Sequence, residues 1–215
     1  MAKVLYTFIN PTSKKDLDEA CRVLDRDGVI AYPTDVNWAF GCDPSSKKAV
    51  EKIRMLKPHH PKELPFSFLC DSISMISSIA DVDHAAFAVL KKVFPGPYTV
   101  LLKRNRTLPR QMKDRRKLVG IRMPKFPLLL DLIGVFGKPI ATTSIPYEIA
   151  SESPHHDEQW LHYGYEVDNI YGHALDLILD LGDPVPVHET TILDLSEGEI
   201  TLIRQGFGSI KGILE

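Results

Sequence analysis

The sequence predicts an α/β fold in which helices alternate with the strands of one mixed sheet. Short β-branched and aromatic runs bounded by Gly and Pro recur along the chain, and the segments between them carry apolar residues at helical spacing. The last third has three strand patterns with little helix between them. Because parallel strands need long crossovers, usually helical, that region indicates antiparallel pairs beside the parallel ones.

The elements of the first half follow from these patterns in order. The predicted strands cover residues 4–9, 29–32, 66–70 and 98–102. Helices are predicted to begin after Thr12 or Ser13 and after Ser45 or Ser46, because these residues can cap a helix N-terminus. Two further helices are expected over 73–79 and 83–94, with a polar, Pro-rich loop over 57–64.

The second half predicts more strands than helices. The predicted strands are 119–123, 139–143, 175–179, 191–195 and 200–204, and one helix over 126–136 ends at Gly137. The polar segment 145–168 is expected to be a long loop with one short helix at about 158–163.

The overall composition indicates a soluble, cytoplasmic globular protein. Among 215 residues, 44% are hydrophobic and 25% charged, with a formal net charge of −2, which does not indicate a nucleic-acid or membrane protein as a class. No apolar window is long enough for a membrane span, and no signal peptide is recognised. Cys21, Cys42 and Cys70 lack paired spacing and are expected to be free thiols, with no dedicated metal site.

Hydroxyl groups follow two predicted strands. Thr34 and Asp35 come directly after the first buried strand, and Thr142, Thr143 and Ser144 end another. Ligands of open α/β sheets bind beyond strand ends, and hydroxyls suit phosphate or carboxylate oxygens. The alternatives are an ordinary turn at Thr34 and a solvated strand end at Ser144.

Several cations are candidates for anion binding. Lys57 lies in the basic loop that also holds His59, and Arg122 and Arg204 lie within apolar strands. Each arginine is expected either to bind ligand oxygens bidentately or to pair with an Asp or Glu. The run 103–117 carries eight Lys and Arg residues against one Asp, which is typical of a phosphate-backbone contact or of a solvated loop.

The order of these segments resembles the YrdC/YciO family, most closely its YciO branch. The matching segments are GVIAYPTDVNWAFGCDP at 28–44, PFSFLCDSISMIS at 65–77, PGPYTVLLK at 95–103, VGIRMP at 119–124, KPIATTSIP at 138–146 and TTILDLSEGEITLIRQG at 190–206. The resemblance covers residues 3–210, which are therefore expected to form a single domain.

The resemblance implies a twisted mixed sheet with flanking helices and a large electropositive concave cleft. In the YrdC branch, L-threonine and bicarbonate form a carbamate that attacks the α-phosphate of ATP, which yields threonylcarbamoyl-adenylate and pyrophosphate. The product serves the N6-threonylcarbamoyl modification of adenosine in tRNA. Mg²⁺ is expected to bind together with the nucleotide.

The resemblance also implies residue roles. Lys57, Arg122 and Ser144 would be catalytic, and Thr34, Arg122 and Ser144 would bind the substrate. The nucleotide would be bound by Lys57, His59, Thr143, Thr190, Thr191 and Arg204. His59 stands where the family's Lys-x-Arg loop has its second basic residue, and Pro146 where Ser-x-Asn has asparagine. A second hypothesis is therefore a non-catalytic protein of this fold that binds nucleotide, tRNA or double-stranded RNA.

Overall fold

A computed structural model describes residues 1–8, 11–57, 66–109, 112, 117–145 and 161–214. Within these ranges ten strands form one sheet. The strands are β1 Lys3–Tyr6, β2 Ile30–Pro33, β3 Trp38–Cys42, β4 Ser67–Leu69, β5 Tyr98–Lys103, β6 Leu118–Arg122, β7 Ile140–Ser144, β8 Leu177–Asp180, β9 Thr191–Asp194 and β10 Thr201–Arg204.

Six helices accompany the sheet in the described ranges. They are α1 Lys14–Asp25, α2 Lys47–Met55, α3 Ile73–Ile79, α4 His84–Val93, α5 Pro127–Phe136 and α6 Gly164–Tyr171. Side chains of Ser13, Ser46, Ser72 and Asp83 accept hydrogen bonds from backbone N–H groups at the starts of the first four. The α5 helix starts at Pro127 and ends at Gly137, whose φ of 72° lies in the left-handed region.

The sheet mixes parallel and antiparallel pairs, as the sequence predicts. Its strand order is β1-β8-β2-β3-β7-β4-β6-β5-β9-β10. The pairs β1–β8, β2–β8, β4–β6 and β5–β9 are parallel, and the other neighbouring pairs are antiparallel.

Helices pack on both faces of this sheet, but they cover the second face unevenly. Buried side chains of α2, α3, α4 and α6 share the larger apolar core on the first face. Those of α1 and α5 form a second core with β8, β2, β3, β7 and β4, and this core contains no residue of β5, β6, β9 or β10. We call the remaining area the polar half-face; its polar side chains include Ser67, Thr99, Arg122, Thr190 and Arg204, around Gly120, and Leu101 lies among them.

Two predicted features differ from the structure. The β3 strand has no counterpart in the prediction, because all five of its residues are buried and the sequence shows no alternation. The predicted helix at 158–163 is wrong at 161–163, where the chain is not helical; positions 158–160 lie outside the described residues. The α6 helix starts at Gly164 instead. The Glu166 carboxylate, inside the first turn of this helix, accepts hydrogen bonds from the N–H groups of His162 and Tyr163 just before it.

Two smaller predictions can also be compared. Strand β1 ends at Tyr6, whereas the pattern predicts a strand to residue 9, which is itself outside the described residues. All three cysteines are free thiols, as predicted. None of the described helices has the length and apolar character that crossing a bilayer requires.

Candidate functional site

An ion pair joins the turn after β2 to the end of β6. The Arg122 Nη2 atom lies 3.1 Å from Asp35 Oδ1, and the Lys125 backbone N–H donates to Asp35 Oδ2. In the sheet, β3, β7 and β4 lie between β2 and β6. Four flat-sheet spacings of about 4.8 Å would separate those strands by about 19 Å. The contact therefore bridges strands four places apart in the sheet, by way of the turn after β2 and the long Arg122 side chain.

Thr34 fixes the conformation of this turn. Its hydroxyl donates to the Asn37 carbonyl oxygen at 2.7 Å and accepts the N–H groups of Val36 and Asn37. The side chain is fully buried. The single hydroxyl proton is thus used within the turn, which leaves the neighbouring Asp35 carboxylate directed at Arg122.

Arg122 is a buried cation with incomplete hydrogen bonding. Its side chain is only 6% exposed, and its Nε has no hydrogen-bond partner among the described residues. Burial lowers the pKa of its guanidinium, the Asp35 carboxylate opposes that change, and the charge of Arg204 adds to the lowering. Since arginine stays protonated in proteins, the Nε of Arg122 is a buried donor of a charged group without a partner among the described residues.

Around Arg122 the polar half-face has a floor of small side chains. Register pairs Thr142 with Ser67 and Ser67 with Gly120, across β7, β4 and β6. A Cβ added to Gly120 would lie 3.1 Å from Ser67 Oγ, 3.5 Å from Thr99 Cγ2 and 3.6 Å from Leu101 Cδ2. The bare glycine therefore lets these three side chains approach closely and leaves a gap no larger than a methyl group between them.

The opposite side of that floor is closed by Tyr32. A Cβ on Gly41 would lie 2.5 Å from the Tyr32 ring, so the ring lies flat across this glycine. The Tyr32 hydroxyl donates to Thr142 Oγ1 at 2.8 Å, and Thr142 donates onward to the Phe40 carbonyl oxygen. Because both hydroxyls are buried and satisfied, this part of the floor is rigid and structural.

Lys57 lies at the end of β7. Its Nζ donates to Thr143 Oγ1 at 2.9 Å and to the Ser144 carbonyl oxygen at 2.8 Å. No carboxylate among the described residues pairs with it, and burial lowers the pKa of its ammonium to about 8. The Ser144 side chain is exposed beside it. Lys57 is therefore a half-buried cation held by neutral oxygens.

Arg204 and Thr190 form a second cluster on the polar half-face. The Arg204 Nε and Nη2 atoms donate to the Thr190 carbonyl oxygen, and Nη1 lies 2.7 Å from Glu189 Oε1. The Thr190 hydroxyl is 2.9 Å from that of Thr99. The Arg204 side chain remains 38% exposed. The cluster places a partly exposed guanidinium close to Arg122.

Comparisons with known proteins show the family of this chain. The family model Sua5_yciO_yrdC, described as "Telomere recombination", matches residues 22–206. The chain belongs to the Sua5/YciO/YrdC family. It is 29% identical to the Escherichia coli K12 protein YciO over 215 residues, which cover 100% of both chains. It is 31% identical to a threonylcarbamoyl-AMP synthase of Psychromonas ingrahamii over 134 residues, 61% of this chain and 70% of that protein.

Solved structures of the Sua5/YciO/YrdC family share the fold. The crystal structure of E. coli YciO matches with a TM-score of 0.85 at 28% identity, and covers 98% of each chain. Sua5 of P. abyssi complexed with L-threonine matches with a TM-score of 0.77 at 23% identity over 96% of this chain and 57% of that one. The likeness to Sua5 concerns the fold alone. The mixed α/β architecture predicted from the sequence is thus confirmed.

The structure places the predicted Sua5/YciO/YrdC site residues in two groups. Lys57, Thr143 and Ser144 meet at the end of β7, and Arg122, Thr190 and Arg204 lie along the polar half-face. The turn that begins at Thr34 connects the two groups. Ala39, in the strand after this turn, pairs with Ser144 of the first group, and Asp35 within the turn contacts Arg122 of the second. Both arginines have the carboxylate partners that the sequence left open as the alternative to ligand binding.

Two of the predicted ligand contacts do not fit this geometry. Thr191 is completely buried on the first face; its hydroxyl donates to the Gly208 carbonyl oxygen and accepts the Gly206 N–H. It therefore holds the segment after β10 and has no hydroxyl left for nucleotide. Thr34 likewise uses its hydroxyl proton inside the turn, which is the turn interpretation of this motif. Both threonines bond backbone groups and so fix the segments that carry the site: Thr34 holds the turn after β2, and Thr191 holds the chain after β10.

Some predictions fall outside the described residues or were missed. His59, Pro146 and four of the eight cations of the basic run 103–117 lie outside the described ranges. Ser67, Thr99 and Gly120 were not among the predicted site residues. Each is a small residue within an apolar strand, and a glycine in such a strand is a signal of close approach. In the described residues, no cluster of three or more His, Cys, Asp or Glu side chains could hold a metal ion.

Proposed function

We propose that this chain is an ATP-dependent synthase of the threonylcarbamoyl-AMP type. Its substrates would be L-threonine or a similar amino acid, bicarbonate and ATP carrying Mg²⁺, and its product would serve tRNA modification in the cytoplasm. Family membership and the threonylcarbamoyl-AMP synthase relatives support this proposal. So does the structural likeness to a Sua5 that was crystallised with L-threonine.

The proposed reaction has two steps. The amino group of the amino acid and bicarbonate give a carbamate and water. A carbamate oxygen then forms a bond to the α-phosphorus of ATP, and the bond from that phosphorus to the bridging oxygen breaks, so its electron pair leaves with pyrophosphate. Such a reaction needs alignment and charge neutralisation more than covalent help from the protein.

The observation that carries the proposal is the buried guanidinium of Arg122. Its Nε is buried without a partner among the described residues, and a substrate carboxylate bound at the small exposed part of this guanidinium would balance its charge. The Ser67 hydroxyl and the Thr99 side chain flank Gly120 on the same half-face. Arg122 would therefore bind the amino-acid carboxylate.

Two further cations would serve the phosphates. Lys57 is half-buried and has only neutral oxygen partners among the described residues, so its charge is available to an anion. Arg204 keeps an exposed edge next to Thr190. Lys57 would neutralise charge on the leaving pyrophosphate, and Arg204 would face the adenylate part of the nucleotide. Ser144, whose side chain is exposed beside Lys57, would donate a hydrogen bond to a phosphate oxygen.

A pyrophosphate-release assay tests the proposal. The full chain is incubated with ATP, Mg²⁺, bicarbonate and one amino acid at a time, and the adenylate is identified by mass spectrometry. We expect amino-acid-dependent release, a decrease of at least about tenfold in Lys57→Gln, and no change in the control Lys52→Gln. Lys52 is a suitable control because it pairs with Asp176, away from the proposed site residues. No release by the wild type with any amino acid would reject this function.

A further inference from the structure

Two aromatic rings form a parallel stack beside the Arg204 cluster. The ring centroids of His188 and Phe207 are 4.3 Å apart, and their planes differ by only 2°. Both residues are exposed, Phe207 by 60%. Each ring covers one face of the other, so one outer face of each ring remains next to the proposed nucleotide site.

Backbone hydrogen bonds hold both rings in place. The His188 N–H donates to the Val36 carbonyl oxygen at 2.7 Å, and Asn37 Nδ2 donates to the His188 carbonyl oxygen at 3.2 Å. The Phe207 N–H donates to the Glu189 carbonyl oxygen at 2.8 Å. The stack is therefore fixed to the turn that orients Asp35.

Gly206 makes this arrangement possible. A Cβ at this position would lie 2.3 Å from the Glu189 carbonyl oxygen and 2.5 Å from the Thr190 carbonyl group, closer than any side chain allows. The close approach brings the chain after β10 against residues 189–190, which sets Phe207 over His188. The same approach places Arg204 against Thr190, so the rings and the guanidinium share one support.

The ligand class follows from the rings. The Asn37 side chain next to them is part of their support: its Nδ2 donates to the His188 carbonyl oxygen, and its Oδ1 is buried and has no partner among the described residues. A planar nitrogen heterocycle has a face that stacks on an exposed aromatic ring.

We propose that the His188–Phe207 stack is the platform on which the nucleobase of the bound nucleotide lies. This inference rests on the proposed function, since it assigns the base to the stack and the phosphates to the cations. An exposed phenylalanine face gains from being covered by another flat ring. Removing a stacked aromatic from such a site weakens binding by roughly 5- to 150-fold.

The test separates the base from the phosphates. Calorimetric titrations with ATP and with inorganic tripolyphosphate, both with Mg²⁺, compare the wild type with Phe207→Ala, Phe207→Trp and Phe87→Ala. Phe87 is the control, since it is 44% exposed on α4. We expect Phe207→Ala to weaken ATP binding about tenfold or more and to leave tripolyphosphate binding unchanged. Phe207→Trp keeps the affinity for ATP, and ATP quenches its added indole fluorescence.

Each of the other outcomes rejects the nucleobase platform, or the proposed function together with the platform. Equal ATP affinity of Phe207→Ala and the wild type overturns the platform and leaves nucleotide binding standing. Equal weakening of ATP and tripolyphosphate also overturns it, because the ring would then support the phosphate site. A wild type that binds neither ligand rejects the proposed function, and the platform with it. Phe207→Trp that folds as the wild type but gives no quenching by bound ATP places the base elsewhere.

Discussion

The carboxylate of Asp35 and the guanidinium of Arg122 meet at 3.1 Å although 87 residues separate them in the chain. Asp35 is 11% and Arg122 6% exposed, so the pair is almost fully removed from water. It connects two strands that the sheet order keeps apart, and it sets the orientation of the cation on which the proposed function depends.

Breaking this pair is expected to destabilise the protein strongly. Asp35→Asn leaves a buried guanidinium without a counter-charge, which typically costs about 3–5 kcal/mol of unfolding free energy. The double variant Asp35→Leu with Arg122→Met removes both charges and should recover most of that loss. Urea unfolding of both variants measures the difference. Equal stability of Asp35→Asn and the wild type would show that the pair contributes nothing to the fold.

Anion binding at Lys57 is expected to depend on pH. Burial lowers the pKa of its ammonium to about 8, so the charge that attracts an anion is lost as pH rises from 7 to 9. Tripolyphosphate affinity, measured by calorimetry across this range, should fall at the higher pH. Lys57→Arg keeps its charge and should remove this dependence.

The lowered pKa of Lys57 is also expected to make the unfolding free energy rise with pH. The pKa of Lys57 is lower in the folded protein than its ordinary value of 10.5, so the unfolded chain binds more protons between about pH 8 and 10.5. Lys57 therefore contributes a rise in unfolding free energy with pH across that window. Lys57→Met removes this contribution; an identical pH slope in both proteins would contradict the assignment.

Filling the gap at Gly120 is expected to remove activity at a moderate cost in stability. A valine there would press its branches against Ser67, Thr99 and Leu101, where a Cβ alone would lie 3.1 Å from Ser67 Oγ. Gly120→Val should lower the unfolding free energy by about 1–3 kcal/mol through overpacking and lose amino-acid-dependent activity. In the control Gly134→Ala, the added methyl lies 3.8 Å from the nearest side-chain atom, and activity should persist. An active, well-folded Gly120→Val would exclude the floor as the substrate position.

We expect no appreciable RNA binding near physiological salt. The formal net charge is −2, and Lys103, the first cation of the basic run, lies 3.4 Å from Glu197. Fluorescence anisotropy with tRNA and with double-stranded RNA between about 50 and 200 mM salt tests this. Tight binding with a steep decrease at higher salt would instead favour the RNA-binding hypothesis.

The sequence predicts the alternation of elements well because each depends on local signals. Hydroxyl and carboxylate caps mark the starts of α1 to α4, and Gly137 marks the end of α5. Strand β3 carries no such signal, since both of its faces are buried and its pattern is uniform. The start of α6 is marked by Glu166, which acts backwards on His162 and Tyr163, in place of a recognisable capping residue.

The site is less predictable because its contacts join residues far apart in the chain and in the strand order. Arg122 and Arg204 are recognisable as charges within apolar strands, but nothing local identifies Asp35 or Glu189 as their partners. Thr190 and Thr191 are neighbours with the same side chain, yet strand alternation places them on opposite faces. Only the register decides which hydroxyl belongs to the polar half-face.

Trp38 has a consequence for how the family can diversify. Its carbonyl oxygen accepts the Ile145 N–H, and its indole donates to the His162 carbonyl oxygen, so the chain departs and returns at one residue. The residue at position 38 must therefore fit its own strand and also hold residue 162, which narrows what evolution can place there.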